Sequence, residues 1–163
     1  MKIAAQSYAE AESLTKLEHE ITVKTEAVKS AKQSVVELEH RIKDLAEIIK
    51  YAEQYRVNRS YHIGYKKAKN PYAYFRRYES QIILYGGAKR MLEQTGINLK
   101  SLNIDKLKSE YKELTRQKEE LTSTYKTYEK EVRELSRKLD TLNQYLGRDT
   151  AQSEPNKSQN KSL

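Results

Sequence analysis

Cationic and aromatic side chains alternate through the middle third of this 163-residue chain. Lysine and arginine neutralise the phosphates of a nucleic acid and release its counterions, and an aromatic ring can stack on an unpaired base. The candidate phosphate contacts are Arg56, Arg59, Lys66, Lys67, Lys69, Arg76 and Arg77. The aromatic side chains that lie among them are Tyr55, Tyr61, His62, Tyr65, Tyr72 and Tyr74. This pattern predicts a nucleic-acid-binding segment with DNA as the expected partner.

A structural interpretation of the same residues stays open beside the functional one. Tyrosines that recur at helical spacing are commonly packed against other helices, and the cations between them then form a solvated rim. Under that interpretation the rings stabilise a small core, and no ring is free to stack on a base.

The uneven distribution of charge favours a functional role for the middle of the chain. The formal net charge is +8, and residues 50–100 carry 11 Lys and Arg against only 3 Asp and Glu. Residues 1–49 have a net charge of −2, and residues 101–163 have +2. Eight of the 13 tyrosines and the single phenylalanine also lie within residues 50–100. The sequence therefore has balanced flanks and a basic, aromatic centre.

Residues suited to catalysis or metal binding are sparse. There is no cysteine, which excludes disulfides and thiolate metal sites. His19, His40 and His62 are far apart, and Glu37 and His40 form a single Glu-x-x-His spacing where a di-iron bundle needs two. No phosphate-binding loop, nucleophile elbow or dinucleotide motif occurs. We expect no enzymatic activity, no metal, no cofactor and no small-molecule substrate.

The N-terminal flank repeats in sevens, which predicts a helix with one apolar seam. The seam consists of two series: Leu14, Ile21, Val28, Val35, Ile42 and Ile49, and Leu17, Lys24, Ala31, Leu38, Leu45 and Ala52. Alternating steps of three and four keep these residues on one stripe, as in a coiled coil. Ser7 and Glu10 fit a capping box, so the predicted heptad helix spans residues 7–56, with a continuation through Tyr65 to about Ala68 as the open alternative for its end.

The C-terminal flank, residues 103–147, has the same seven-residue pattern. Its two series are Ile104, Tyr111, Lys118, Tyr125, Val132, Leu139 and Leu146, and Leu107, Leu114, Leu121, Tyr128, Leu135 and Leu142. Asn103 is the predicted N-cap and Gly147 the predicted C-cap glycine. The seam lysines, Lys24 and Lys118, either fix the register of the coil or are tolerated because their long side chains reach solvent.

Two seams of similar length predict an all-α fold, a long antiparallel coiled-coil hairpin with a small helical tip. The alternative is that each helix pairs with a second chain. Residues 57–102 form the tip, with a break at Asn70-Pro71, an interruption at Gly86-Gly87 that marks a close helix contact or a kink, and an end at Gly96. Residues 1–147 thus make a single helical domain.

The remaining expectations concern the tail and the surroundings of the protein. Residues 148–163 are rich in Ser, Asn, Gln and Lys without periodicity, so we expect a disordered tail. No apolar run is long enough to span a membrane, and the first residues do not form a signal peptide. The expected location is the cytoplasm, without membrane association.

The centre of the chain and the helices beside it resemble a known family. The resemblance is carried by Ile48-Ile49-Lys50-Tyr51-Ala52, by Tyr65 and Lys69, by the run from Tyr74-Phe75-Arg76-Arg77-Tyr78 to Tyr85, and by Leu107 with Tyr111. These features are similar to the C-terminal helical region of relaxases, the mobilisation nucleases of conjugative elements of Gram-positive bacteria. The similar stretch covers roughly residues 30–146.

The resemblance implies an accessory role in conjugative DNA mobilisation, by DNA contact or by docking to the transfer machinery. In that family a separate N-terminal domain cuts the DNA with a tyrosine and a histidine-bound metal. This sequence lacks that domain, so no catalytic residue is carried over, and the chain is a fragment or a stand-alone accessory protein. The alternative is a structural or protein-interaction coiled coil, with a protein partner or self-association and no nucleic-acid role.

Overall fold

The computed structural model describes the backbone of residues 2–147 and the side chains of residues 9–147, and the predicted tail lies outside them. The helices are α1 (Lys2–Lys67), α2 (Pro71–Arg77), α3 (Glu79–Gln94) and α4 (Ile104–Tyr145), with a 3₁₀ turn at Leu99–Ser101. No strand occurs in this part of the chain, and α1 packs on α4, which confirms the predicted all-α helical hairpin. None of the described helices is sufficiently long and apolar to cross a membrane.

The chain divides into two compact units. The terminal unit comprises Met1–Val35 and Glu120–Leu163, and the central unit comprises Val36–Glu119. Since α1 and α4 each contribute to both units, the prediction of a single domain stays a prediction. The central unit holds 18 Lys and Arg against 11 Asp and Glu, whereas the terminal unit holds 13 against 12. The positive charge of the molecule is therefore concentrated in the central unit.

In the terminal unit, α1 and α4 run antiparallel. Lys24 contacts Glu131 at 2.5 Å and Lys32 contacts Glu129 at 2.7 Å, so residue numbers fall along α4 as they rise along α1. The seam residue Lys24 also lies 3.8 Å from Glu20 of its own helix. The side chain predicted to interrupt the apolar seam is thus held by carboxylates at its edge.

The same antiparallel pairing is repeated in the central unit. Lys118, the second seam lysine, lies 3.4 Å from Glu39, and Lys108 lies 2.7 Å from Glu53. The α1 seam residues from Leu14 to Ala52 are all buried or half-buried, as predicted. The α4 seam behaves likewise except at Tyr111, whose side chain is exposed. The seam prediction is therefore wrong only for that residue.

The structure differs from the predicted start of α1 and agrees with the continuation of the helix past Arg56. The helix starts at Lys2, not at Ser7, and Ala4 and Ala5 in this stretch are strong helix formers. It continues beyond Arg56 to Lys67, because Tyr55, Asn58, His62 and Tyr65 extend the inward face at steps of three and four. Beyond Arg56, α1 is stabilised by packing on α2 and α3 and not by a coiled-coil partner helix.

Most predicted helix ends are confirmed. Asn70 accepts a hydrogen bond from the Ala73 N–H with Pro71 at the first position of α2, and Asn103 accepts one from the Lys106 N–H. Gly96 and Gly147 have positive φ angles of 81° and 74°. After α3, the N–H groups of Gly96 and Ile97 bond to the carbonyls of Glu93 and Leu92, which is a Schellman motif.

The close helix contact predicted for Gly86-Gly87 is found at a different glycine. Nothing lies within 4 Å of a Cβ built at either residue, and α3 runs through both without interruption. A Cβ at Gly64 of α1, by contrast, would collide with the ring and hydroxyl of Tyr74. The glycine that permits close packing is therefore Gly64, and the expectation for Gly86 and Gly87 is wrong.

Candidate nucleic-acid interface

Aromatic rings build the interior of the central unit beyond the end of the coil. His62 of α1 stacks on Tyr85 of α3 with ring centroids 4.4 Å apart, and Tyr55 stacks on Tyr85 at 4.9 Å. Tyr85 is only 6% exposed. The three stacked rings join α1 to α3.

A second group of rings joins α1 to α2. Tyr74 lies 4.7 Å from Tyr78 and 6.5 Å from Tyr65, and Tyr61 lies 5.1 Å from Tyr78. Phe75 completes the group at 5.8 Å from Tyr65. The rings of the central unit pack on one another, as the structural interpretation of the tyrosines predicted.

Tyr72 is the exception among the aromatic residues considered for base stacking. Its side chain is 71% exposed, and the guanidinium of Arg76 lies 5.8 Å from the ring centroid. A cation held over one face of a tyrosine ring is a weak interaction at an exposed site. Tyr72 therefore remains accessible on the surface of α2.

The packing of the rings changes the acidity of two groups. Burial, together with the nearby charges of Lys66 and Lys89, lowers the pKa of His62 below its ordinary value. Burial and the hydrogen bond with Tyr55 raise the pKa of Tyr85 to about 12. Both groups are held in their uncharged forms near neutral pH, which suits a packed interior.

All seven predicted phosphate contacts have exposed side chains. Four of them lie on α1, Lys69 lies in the turn after it, and Arg76 and Arg77 form the last turn of α2. None of the seven forms an ion pair with another residue of the described chain. The structure therefore leaves this set of charges open to a ligand, in contrast to the seam lysines.

The α1 seam explains why three of these cations face outward. Arg56, Arg59 and Lys66 continue the two heptad series by one or two steps. Ile104, the first residue of α4, belongs to the core cluster around Ala52, so α4 provides no residue to cover the seam beyond that point. Side chains on this face of α1 past Ala52 meet solvent, and cations are tolerated there.

Two of the predicted cations line a groove of about 550 Å³ in the central unit. Arg56 and Arg59 line it from α1 together with Tyr55, and residues 99–105, which comprise the connector and the first two residues of α4, line it from the other side. Lys100 brings a third cation to the groove, and Asp105 a carboxylate. The groove is thus a concave, polar site with a net positive charge.

Sequence reasoning missed two cations that the fold brings to these residues. Lys100 joins Arg56 and Arg59 at the groove, and Lys89 lies near enough to His62 to lower its pKa. Both lie in the basic middle third of the sequence, and this position was the feature of the sequence that could have identified them. Neither is flanked by tyrosines in the pattern that singled out the other seven.

No group of three His, Asp or Glu side chains within the described residues is arranged to hold a metal ion. Comparison with known proteins adds no assignment: no protein-family model, curated protein or solved structure matches the chain.

Proposed function

We propose that this protein is a non-enzymatic module that binds DNA through the phosphate backbone, using the basic surface of the central unit. The observation that carries the proposal is the set of seven exposed cations that form no ion pair within the described chain. By contrast, the lysines of the coil seam are paired with glutamates.

The spacing of the cations suits a phosphate backbone. From Arg56 to Lys67 the helix rises about 16 Å at 1.5 Å per residue. Phosphates along one DNA strand are separated by about 3.4 Å along the axis, so this row matches the span of about five phosphates. Arg76 and Arg77 extend the charged surface onto α2.

The packing of the aromatic residues favours backbone contact over base stacking. Most rings among the cations are engaged with each other, as at Tyr74 and Tyr78. Stacking on a base would require such a ring to leave the interior. Binding in the proposed mode is therefore electrostatic and largely independent of sequence.

The resemblance to the relaxase C-terminal region suggests the biological setting. In that setting the protein attaches to DNA during conjugative mobilisation, while the paired helices act as a spacer or dock to the transfer machinery. This part of the proposal rests on the resemblance alone, whereas the DNA contact rests on the charged surface.

Replacing Arg76 and Arg77 by glutamine tests the proposed surface. We expect weaker binding of labelled duplex DNA in fluorescence anisotropy, and a slope of log affinity against log salt that is reduced by about 2, since each lost phosphate contact removes about 0.9. The matched control replaces Lys29 and Lys130, exposed cations of the terminal unit, by glutamine and should leave the slope unchanged.

The alternative function, a protein-interaction coiled coil, makes the opposite prediction. It is favoured by exposed apolar side chains of the terminal unit, such as Val23 and Tyr145. Concentration-dependent association together with no DNA binding at about 50 mM salt would support it and would exclude the DNA-binding proposal.

A further inference from the structure

The groove of the central unit differs from the rest of the basic surface because it is concave and lined from two sides. Arg56 and Arg59 come from α1, and Lys100 comes from the connector 41 residues further along the chain. Its volume of about 550 Å³ falls within the range of small-molecule sites. A phosphate diester on a continuous strand does not need such a recess, whereas a terminal group can enter it.

The charges around the groove are available for an anion. Glu53, one turn before Arg56, is bound by Lys108 at 2.7 Å, and this contact holds the pKa of Glu53 below its ordinary value. Arg56 also contributes electrostatically to the lowered pKa of Glu53, but it forms no ion pair with a carboxylate of the described chain. Asp105 is the one acid that lines the groove, so the three cations leave it with a net charge of about +2.

We propose that this groove binds a phosphomonoester group, with Arg56, Arg59 and Lys100 as the residues that hold it. A phosphomonoester carries about −1.5 to −2 charge at pH 7 and three strong acceptor oxygens, against −1 for a diester in a strand. Arginine recognises such oxygens with two parallel N–H donors. The proposal deepens the proposed function at two of its residues, and it also stands if the phosphomonoester is part of a free nucleotide.

The test compares two labelled single strands of one sequence, one with a 5′-phosphate and one with a 5′-hydroxyl, bound to the full chain. We expect the phosphorylated strand to bind about tenfold more tightly, since hydrogen bonds to charged groups are the stronger class. Equal affinity for the two strands, together with no binding of adenosine monophosphate in calorimetry, would overturn the proposal.

Variants identify the residues. R56Q with R59Q should remove the preference for the 5′-phosphate and weaken the 5′-hydroxyl strand only by the loss of two backbone contacts, whereas R76Q with R77Q should weaken both strands equally. D105N should strengthen binding of the phosphorylated strand, because it removes the one carboxylate from the groove. A gain of affinity cannot arise from misfolding, whereas an unchanged affinity of D105N counts against the groove.

The outcomes separate this inference from the proposed function. Binding of adenosine monophosphate without binding of duplex DNA supports the groove and refutes the DNA-binding module. Salt-dependent binding of duplex DNA supports the DNA-binding module. If it occurs without preference for a phosphorylated end and without binding of the nucleotide, it refutes the groove as a phosphomonoester site. If adenosine monophosphate displaces the phosphorylated strand, the groove recognises the phosphomonoester group itself and not the rest of the strand.

Discussion

At the scale of single residues, the same side-chain types have different roles according to what lies opposite them. Lys24 and Lys118 reach glutamates of the other long helix, whereas Arg56 and Arg59 reach none. The charge of each residue could be read from the sequence, but its partner could not, because Glu131 is 107 positions from Lys24. Availability for a ligand depends on that partner.

His62 should make the stability of the protein depend on pH. Its pKa is lower in the folded state, so the unfolded chain takes up protons more readily as pH falls below about 6.5. The stabilising contribution of the neutral ring is thus complete at higher pH and is lost as pH falls through this range. Urea denaturation at pH 7.5, 6.5 and 5.5 should show a decreasing free energy of unfolding.

The variant H62F keeps a ring against Tyr85 and removes the titrating group. Its free energy of unfolding should fall less between pH 7.5 and 5.5 than that of the unmodified protein. Parallel pH profiles for the two proteins would show that His62 is not the group responsible.

At the scale of elements, most ends of the helices were predictable, the start of α1 excepted, and their packing was only partly so. Asn70, Gly96, Asn103 and Gly147 act through hydrogen bonds or backbone angles within a few residues, and local sequence encodes these. The seams of α1 and α4 followed from period alone. The approach of α2 to α1 depends on ring contacts between distant residues, and for this reason the role of Gly64 was not recognised.

Substitution of the glycines tests this account of the packing. G64A places a methyl group against Tyr74, whose ring is confined by Tyr65 and Tyr78. Overpacking costs about 1–3 kcal/mol, and alanine regains up to about 1 kcal/mol of helix propensity, so we expect net destabilisation of about 1–2 kcal/mol. Chemical denaturation followed by circular dichroism measures it.

G86A is the matched control, since the same substitution there meets open space within a helix. It should stabilise the protein by about 0.5–1 kcal/mol through helix propensity alone. If both variants stabilise the protein, Tyr74 does not restrict Gly64 in solution.

At the scale of the whole molecule, charged residues align the two long helices in the terminal unit and form an exposed basic surface in the central unit. In the terminal unit, cations and carboxylates are nearly balanced, and pairs such as Lys24 with Glu131 align the two helices. In the central unit, cations exceed acids and many face solvent. The all-α hairpin was predictable from the heptads, but the choice between pairing within one chain and pairing between two chains was not, because the seam is equally apolar in either case.

Charge reversal at Lys24 and Glu131 decides whether the helices pair within one chain in solution. K24E places a third carboxylate beside Glu20 and Glu131, so its melting temperature at low salt should fall. E131K places two lysine-type cations together and should also lower it. The double variant K24E with E131K restores an opposite-charge pair, and its melting temperature should recover most of the loss.

An equimolar mixture of the two single variants, K24E and E131K, distinguishes the two kinds of pairing. If the helices pair within one chain, each variant keeps its own like-charge contact, so the mixture should melt as the two separate proteins do, independently of concentration. If they pair between chains, a mixed dimer sets the introduced glutamate of one chain against the introduced lysine of the other. Its second contact is the original pair of Lys24 with Glu131, so the melting temperature would rise on mixing. The ion pairs within the described chain lead us to expect no rise.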